Sequence, residues 1–153
     1  MTDTFPIVPA HSRAIWVLVV LVLAVLIATA AVMIKTARGS RHSTFELSGE
    51  GLRLRGDLYG RMIPAAALRG GSARLVDLRI EPGLVPRSRR FGTAVGDYRS
   101  GWFRLRNGEK ALLYLTDQTR SVYVPTTAGY SVLLTPQNAE LFVGRLRTIA
   151  PQP

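Results

Sequence analysis

An uncharged stretch of 21 residues near the N-terminus, from Ala14 to Ile34, restricts where the rest of the chain can lie. Thirteen of these residues are Leu, Ile or Val. As an α-helix the stretch would be about 31 Å long, which matches the hydrocarbon core of a bilayer. A single apolar segment in lipid has to satisfy its own backbone hydrogen bonds, and a helix does so. We therefore predict a transmembrane helix over residues 14–34.

A cleaved signal peptide is the competing interpretation of the same stretch. The tripeptide ATA at residues 28–30 fits the small-x-small cleavage pattern, and cleavage there would leave a mature chain beginning at Ala31. However, the apolar run continues to Ile34, and the residues before the stretch include Asp3 and a single basic side chain. These features favour an uncleaved anchor.

Basic residues on the two sides of the stretch predict its orientation. Arg13 precedes it, whereas Lys35, Arg38 and Arg41 follow it. Because Lys and Arg near a span are retained on the cytoplasmic side, the C-terminal part is expected in the cytoplasm and the tail of residues 1–13 outside.

The charge of the chain lies beyond the span. The net charge is +10, and Arg13 and Asp3 cancel before residue 35. The excess is almost entirely arginine, which is explained either by genome composition or by attraction to anionic lipids of the inner leaflet. The chain has no cysteine, so it has neither disulfides nor thiolate chemistry. About 110 residues remain from residue 44 onward, enough for one domain.

A mainly-β domain is predicted over residues 44–150, after a basic juxtamembrane linker at 35–43 and before a short tail at 151–153. Apolar and polar residues alternate in short runs that Gly-containing turns separate, as in antiparallel meanders. The predicted strands are 44–48, 52–55, 58–63, 72–80, the two arms of 101–117, 121–125 and 130–134.

The dipeptide NG at residues 107–108 predicts a hairpin within 101–117. With an extra residue at the turn, Leu113 and Leu115 lie on the same side as Phe103 and Leu105, the register that buries the larger aliphatic group.

A helical period replaces the strand period near the C-terminus. Thr135 is a suitable N-cap, and Pro136 suits the first helical position. The apolar residues after it recur at intervals of three, four and seven, up to Pro151. They are Ala139, Phe142, Val143, Leu146, Ile149 and Ala150.

These strands and helix resemble the bacterial pleckstrin-homology-like (PH-like) domain families in their small membrane-anchored form. The resemblance rests on LYGRMIPAAAL (58–68), ARLVDL (73–78), GWFRLRNGEKALLYLTD (101–117), VYVPT (122–126) and YSVLLTPQNAELFVGRL (130–146). It implies a bent antiparallel barrel with a C-terminal capping helix, and the residue pattern gives this barrel seven or eight strands. The predicted span anchors the domain in the bacterial inner membrane. The resemblance also implies a binding or assembly module and not an enzyme.

The resemblance does not carry over a phosphoinositide site. PH-like domains that read phosphoinositides place basic residues in the first strand-to-strand loop, and here that loop is the short, acidic Gly49-Glu50-Gly51.

Motif searches find no enzyme signature, so no catalytic residue, metal ligand or cofactor is predicted. His11 and His42 lie in polar segments without Cys or nearby acids, and metal binding is not expected of them. Asp77 is expected to pair with Arg74 or Arg79, and Asp117 to begin the turn after its strand.

Residues 81–100 are expected to form a long irregular loop, because they combine two Pro, three Gly and four Arg. Its basic residues, interleaved with Phe91 and Tyr98, form either a binding surface for anionic groups or a solvated loop. These residues are Arg87, Arg89, Arg90 and Arg99.

A second candidate surface is the outward face of the 101–117 hairpin. It carries Trp102, Arg104 and Arg106, a composition common at interfaces, although such a Trp also commonly covers a barrel seam.

The predicted function is therefore a membrane-tethered module that docks a protein partner at the cytoplasmic face of the membrane. Direct recognition of anionic lipid headgroups by the Arg-rich surface is the alternative. Nucleic acid is not expected as a partner, since the chain is tethered and carries no nucleic-acid motif. Ala24 and Ala28 have the spacing that supports dimerisation of a transmembrane helix, although alanine is frequent in any span.

Overall fold

A computed structural model describes residues 13–56 and 58–153 of the chain, and of residues 35–42 the backbone alone. The chain divides into two compact units at residue 35. Residues 1–12 of the predicted N-terminal tail lie outside the described residues.

The first helix, α1, extends from Arg13 to His42. Its segment Arg13–Ile34 is long and apolar enough to cross a membrane, and every side chain in that segment is exposed. The backbone stays helical through residues 35–42, the segment predicted as a juxtamembrane linker.

The second unit is a mainly-β domain that ends in a helix, as the sequence predicts. The strands are β1 (Thr44–Ser48), β2 (Gly51–Arg55), β3 (Met62–Pro64), β4 (Arg74–Val76), β5 (Pro86–Val95), β6 (Tyr98–Leu105), β7 (Lys110–Leu115), β8 (Ser121–Pro125) and β9 (Ser131–Leu134). They form one sheet in the order β1-β2-β3 and another in the order β4-β8-β9-β7-β6-β5. The described part of the domain thus has nine strands, one more than the largest number predicted.

The extra strand is β5, and it corrects the expectation of an irregular loop over residues 81–100. β5 pairs with β6 in a long antiparallel hairpin, and two register shifts interrupt it before Phe91. It is the edge strand of its sheet and is largely exposed, so its sequence has no apolar alternation. Gly96 has φ +56° and, with Asp97, forms the two-residue turn of the hairpin.

One strand pair departs from the antiparallel arrangement. β9 lies between β7 and β8, and it runs parallel to β7 and antiparallel to β8. β7 and β8 are therefore consecutive in sequence without being neighbours in the sheet.

The β6–β7 hairpin has the predicted location and facing. Phe103 lies opposite Ala111, and Gly101 opposite Leu113, so Leu113 and Leu115 share a face with Phe103 and Leu105. The turn contains three residues, of which only Gly108 has a positive φ, +88°. Such a loop is a turn followed by a glycine bulge.

Two predicted strands are shorter than expected. In the stretch 58–63, Leu58 and Tyr59 lie in a turn, and β3 begins only at Met62. In the stretch 72–80, pairing ends at Val76 because the chain then turns through residues 77–80. Pro64 closes β3, which is possible because β3 is an edge strand.

The six-stranded sheet buries both of its faces. One face packs on β2, β3 and the C-terminal helix, and Leu112, Val132 and Leu134 belong to that core. Side chains one residue out of phase, including Leu113 and Leu133, belong to a second core. This alternation follows from the period of two along a strand.

The second core is covered by the segment of residues 77–85. Leu78 and Leu84 are buried in it. The segment is fixed at both ends, because the Leu78 N–H donates to Gln118 O (2.8 Å) and the Asn107 N–H donates to Gly83 O (2.9 Å).

The C-terminal helix, α2, extends from Ala139 to Ile149. Its predicted apolar face is confirmed: Ala139, Phe142, Val143, Leu146 and the following Ala150 are buried, while Ile149 is half-buried.

The predicted start of this helix is wrong. Asn138, not Thr135, occupies the N-cap position. The Thr135 Oγ1 instead donates to Asp117 O (3.2 Å) and accepts from the N–H of Thr116 (3.3 Å), so it joins the end of β9 to the chain leaving β7.

Candidate binding surface

Trp102, on β6, is the centre of a basic and aromatic cluster. The Lys110 Nζ lies 4.2 Å from the centroid of its ring, and the Arg61 Cζ lies 4.7 Å away. Tyr130 meets the indole edge to face, with ring centroids 5.0 Å apart. The indole is half-buried and packs against the core between the sheets, so it both covers that core and remains accessible.

A cleft of about 360 Å³ opens beside this indole. Its floor and walls combine three aromatic side chains with three cationic ones. They are Phe91, Trp102, Phe103, Arg90, Arg104 and Lys110. Phe91 is 71% exposed, and its ring contacts Tyr59 edge to face with the centroids 5.5 Å apart. None of the described residues that line the cleft is acidic, so this lining suits an anionic ligand that also has an apolar part.

The acidic side chain at the β6–β7 turn, Glu109, is held away from the cleft by Tyr123. Glu109 accepts hydrogen bonds from the Tyr123 hydroxyl at 3.0 and 3.1 Å. Tyr123 packs against the second core, on the face of the sheet opposite Trp102. Burial, together with the hydrogen bond to Glu109, raises the pKa of Tyr123 to about 12, so its hydroxyl stays a donor at neutral pH.

Ion pairs within the described residues also lie elsewhere. Four arginines have carboxylate partners within 4 Å, and none of the four lines the cleft. The pairs are Arg55–Glu46, Arg74–Glu81, Arg79–Asp77 and Arg120–Glu140. The cations of the cleft therefore have no carboxylate partner in the part of the chain that the structure describes.

Of the seven residues predicted for the binding surface, three line the cleft and four do not. Arg90, Trp102 and Arg104 come together at the cleft, where the Arg104 Nη1 also donates to Gly108 O at 2.9 Å. Arg87 and Arg89 are exposed on the edge strand β5, next to Arg90.

The remaining predicted residues do not line the cleft. Arg99 is half-buried on β6, opposite Ala94 of β5 and Leu115 of β7. Arg106 is exposed in the β6–β7 turn.

The predicted membrane flank begins with Arg13, which is exposed at the start of α1. The side chains of Lys35, Arg38 and Arg41 lie outside the described part, although their backbone is helical.

Sequence reasoning missed Arg61, Lys110 and Tyr130 as members of the cluster. Lys110 could have been predicted from the register of the hairpin, because it lies directly opposite Arg104 and is the cross-strand diagonal neighbour of Trp102. Arg61 and Tyr130 had no local signal, because they reach Trp102 from the chain before β3 and from the end of the β8–β9 turn.

Two acidic residues have the structural roles predicted for them. Asp77 pairs with Arg79 at 2.8 Å, while Arg74 pairs with Glu81. Asp117 Oδ1 accepts from the N–H and the hydroxyl of Thr119, both at 2.7 Å, as in an Asx turn. Among the described residues no group of three His, Cys, Asp or Glu side chains is placed to hold a metal ion.

Two sheets closed by a C-terminal helix, with a basic and aromatic cleft on one of them, define a PH-like binding domain. The chain belongs to the bacterial PH domain family, whose model matches residues 44–149. The comparisons with curated proteins and with solved structures find no match. The family is a binding and scaffold fold, in agreement with the resemblance in sequence.

Proposed function

We propose that this chain is a membrane-tethered binding module that docks a protein partner at the cytoplasmic face of the bacterial inner membrane. The observation that carries the proposal is the pair of cations, Arg61 and Lys110, held on the ring of Trp102 beside an open cleft.

The composition of the cleft supports a protein ligand. Trp, Tyr, Phe and Arg are enriched in protein interfaces, and Trp, Tyr and Arg provide most residues with large binding contributions. Phe91 leaves most of its ring in solvent although it lines a concave surface, so a partner can remove apolar area from water there.

The tether supports the membrane location. Arg13–Ile34 can span a bilayer, and the basic residues Lys35, Arg38 and Arg41 follow it directly. By the positive-inside rule this distribution supports a cytoplasmic location for the PH domain.

Site-specific photocrosslinking in living cells tests the proposal. Benzoylphenylalanine replaces Arg104 at the cleft or, as a control, Arg145, an exposed arginine of α2. We expect irradiation to give a discrete protein adduct from position 104 alone, and Lys110→Glu to remove it. The same adducts from both positions, or none from position 104, would contradict a docking site at the cleft.

Recognition of anionic lipid is the second candidate function, and the edge strand favours it. Three exposed arginines, Arg87, Arg89 and Arg90, come just before the exposed Phe91 in the sequence. Val95, just before the hairpin turn, is 64% exposed. Basic residues near an anionic surface contribute about 1 kcal/mol each.

A fluorophore at a single introduced cysteine distinguishes the lipid from the protein ligand, because the chain has no cysteine of its own. Val95→Cys carrying NBD is placed in nanodiscs of neutral or anionic lipid. A blue shift that requires anionic lipid and disappears at about 1 M salt would support lipid recognition. Identical emission in both nanodiscs would leave the protein partner as the function.

A further inference from the structure

We infer that the partner binds as an extended acidic segment, which adds a strand to the free edge of β5 and places an apolar side chain in the cleft beside Trp102. This inference rests on the proposed function and specifies the partner's chemistry and its mode of binding.

The free edge of β5 offers backbone hydrogen-bonding groups. β5 is the last strand of its sheet and pairs only with β6 among the described residues. Val95 and Tyr98 close the two-residue turn, and a closing pair of this kind exchanges its hydrogen bonds. The next pair, Ala94 with Arg99, is then a non-hydrogen-bonded pair, so the N–H and C=O of Ala94 point away from β6.

Only a short part of this edge is regular. Pro86 and the two register shifts before Phe91 protect the first half of β5 from strand pairing, as bulges and prolines do in native sheets. From Phe91 to Val95 the register with β6 is continuous. An added strand would therefore pair along residues 91–95.

The cleft lies next to this regular segment. Phe91 begins the segment, lines the cleft, and pairs with Trp102 across the β5–β6 ladder. A strand added along residues 91–95 would direct alternate side chains to the side of the sheet on which the indole lies. Backbone pairing there and an apolar anchor in the cleft are thus compatible in one ligand.

Charge selects the occupant. β5 carries three arginines and no acid, and the cleft adds Arg104 and Lys110. A second copy of the chain is a poor match, because Glu46 of β1 is the only acidic residue in its described strands. An acidic extended segment of a different protein satisfies the edge, the cleft and the charge.

The test uses the full chain in nanodiscs of neutral lipid and a pool of labelled, blocked seven-residue peptides. In the pool Glu alternates with apolar residues. We expect the best members to bind by fluorescence anisotropy, and binding to weaken as salt is raised. N-methylation of alternate backbone amides should lower the affinity of these peptides about tenfold or more, because it removes hydrogen-bond donors without changing the charge. A pool in which Lys replaces Glu should not bind.

Ala94→Pro is the matched change in the protein, because it removes the outward N–H of an edge residue that does not bond β6. We expect it to weaken peptide binding about tenfold while the thermal unfolding temperature stays near that of the parent chain. Arg145→Gln in α2 is the control and should leave binding unchanged. Hydrogen exchange should show that bound peptide protects the Ala94 amide in the parent chain.

The outcomes separate the two proposals. Peptide binding that is insensitive to N-methylation, with no protection at Ala94, would overturn strand addition. So would a failure of every pool member to bind at about 1 mM. In either case a photocrosslinked adduct from position 104 that Ala94→Pro does not change would leave protein docking intact. If benzoylphenylalanine at position 104 gives no protein adduct when the rest of the chain is unchanged, the proposed function itself is contradicted.

Discussion

The ammonium group of Lys110 lies 4.2 Å from the ring centroid of Trp102, on the neighbouring strand of the β6–β7 hairpin. Arg61 approaches the same ring, so two cations share one indole. Their mutual repulsion is offset by the negative potential of the ring face. The arrangement holds positive charge beside a cleft at which no described acid neutralises it.

A double-mutant cycle between Trp102 and Lys110 should measure this contact. Trp102→Leu and Lys110→Gln, alone and together, are expected to give a coupling of about 0.5–1 kcal/mol in the free energy of unfolding, the usual size for an accessible cation–π pair. Urea denaturation of the four chains supplies the values. A coupling near zero, or one as large between Trp102 and the remote Arg145, would contradict a specific contact.

Gly101 allows β5 and β6 to approach closely. Its φ is +107°, and a Cβ there would lie 2.5 Å from Phe91 O and 2.6 Å from the Cα of Gly92. Gly101→Ala should therefore destabilise the domain by about 3 kcal/mol or more, because it combines backbone strain with overpacking.

Gly108→Ala is the control for that substitution. It also has positive φ, but nothing lies within 4 Å of the added Cβ, so about 1–2 kcal/mol is expected. Equal losses for the two variants in urea denaturation would show that close packing at Gly101 adds nothing.

Local sequence patterns were sufficient to predict the strands and the helix that bury one regular face. The NG turn located the β6–β7 hairpin, and burial of its aliphatic side chains gave the register. The helical period gave the buried face of α2. In each case burial follows the backbone period. The β5 strand lacks this signal. Because it is an edge strand, few of its side chains are buried, and its sequence does not alternate between apolar and polar residues. Its Gly96-Asp97 turn was nevertheless a readable hairpin signal.

The cluster around Trp102 was only partly predictable for a different reason. Arg90, Trp102 and Arg104 are close in sequence or across one hairpin, and composition identified them. Arg61 and Tyr130 come from the chain before β3 and from the end of the β8–β9 turn, so their approach depends on the packing of the two sheets. Composition also grouped Arg99 with the loop arginines, although the strand it lies on leaves it half-buried.

Adjacent leucines on β7 should report on different cores. Leu112→Ala opens the core against the small sheet and α2, whereas Leu113→Ala opens the core under residues 77–85. Each is fully buried, so each should cost about 2–5 kcal/mol. Leu113→Ala, unlike Leu112→Ala, should increase the hydrogen-exchange rate of the Leu78 amide, which donates to Gln118 O. Equal acceleration in both variants would contradict separate cores.

Asp117 should contribute to the loss of stability in acid. The hydrogen bonds from the backbone N–H and the hydroxyl of Thr119 lower the pKa of Asp117 in the folded chain. A folded pKa below the unfolded one stabilises the fold above the unfolded value, near 4, and this contribution is lost as the pH falls through the folded pKa. Asp117→Asn keeps an acceptor oxygen but cannot titrate.

The stability difference between the parent chain and Asp117→Asn should therefore be largest at neutral pH and shrink toward about pH 3. Urea midpoints measured across that range provide the test. The hydrogen bond with Arg79 also lowers the pKa of Asp77. The Asp117→Asn chain should therefore still lose stability in acid, but by a smaller amount than the parent chain. A difference that does not change with pH would exclude this role for Asp117.

The absence of cysteine allows the predicted topology to be measured without background. Thr4→Cys and Gln152→Cys are made separately, and intact spheroplasts are treated with a maleimide that does not cross membranes. We expect labelling at position 4 in intact spheroplasts and at position 152 only after permeabilisation, because the basic flank after Ile34 should stay in the cytoplasm. The reverse pattern would overturn the orientation, and with it a cytoplasmic partner. A mature chain that begins at Ala31 and is labelled at position 152 in intact spheroplasts would identify residues 1–30 as a cleaved signal and remove the anchor.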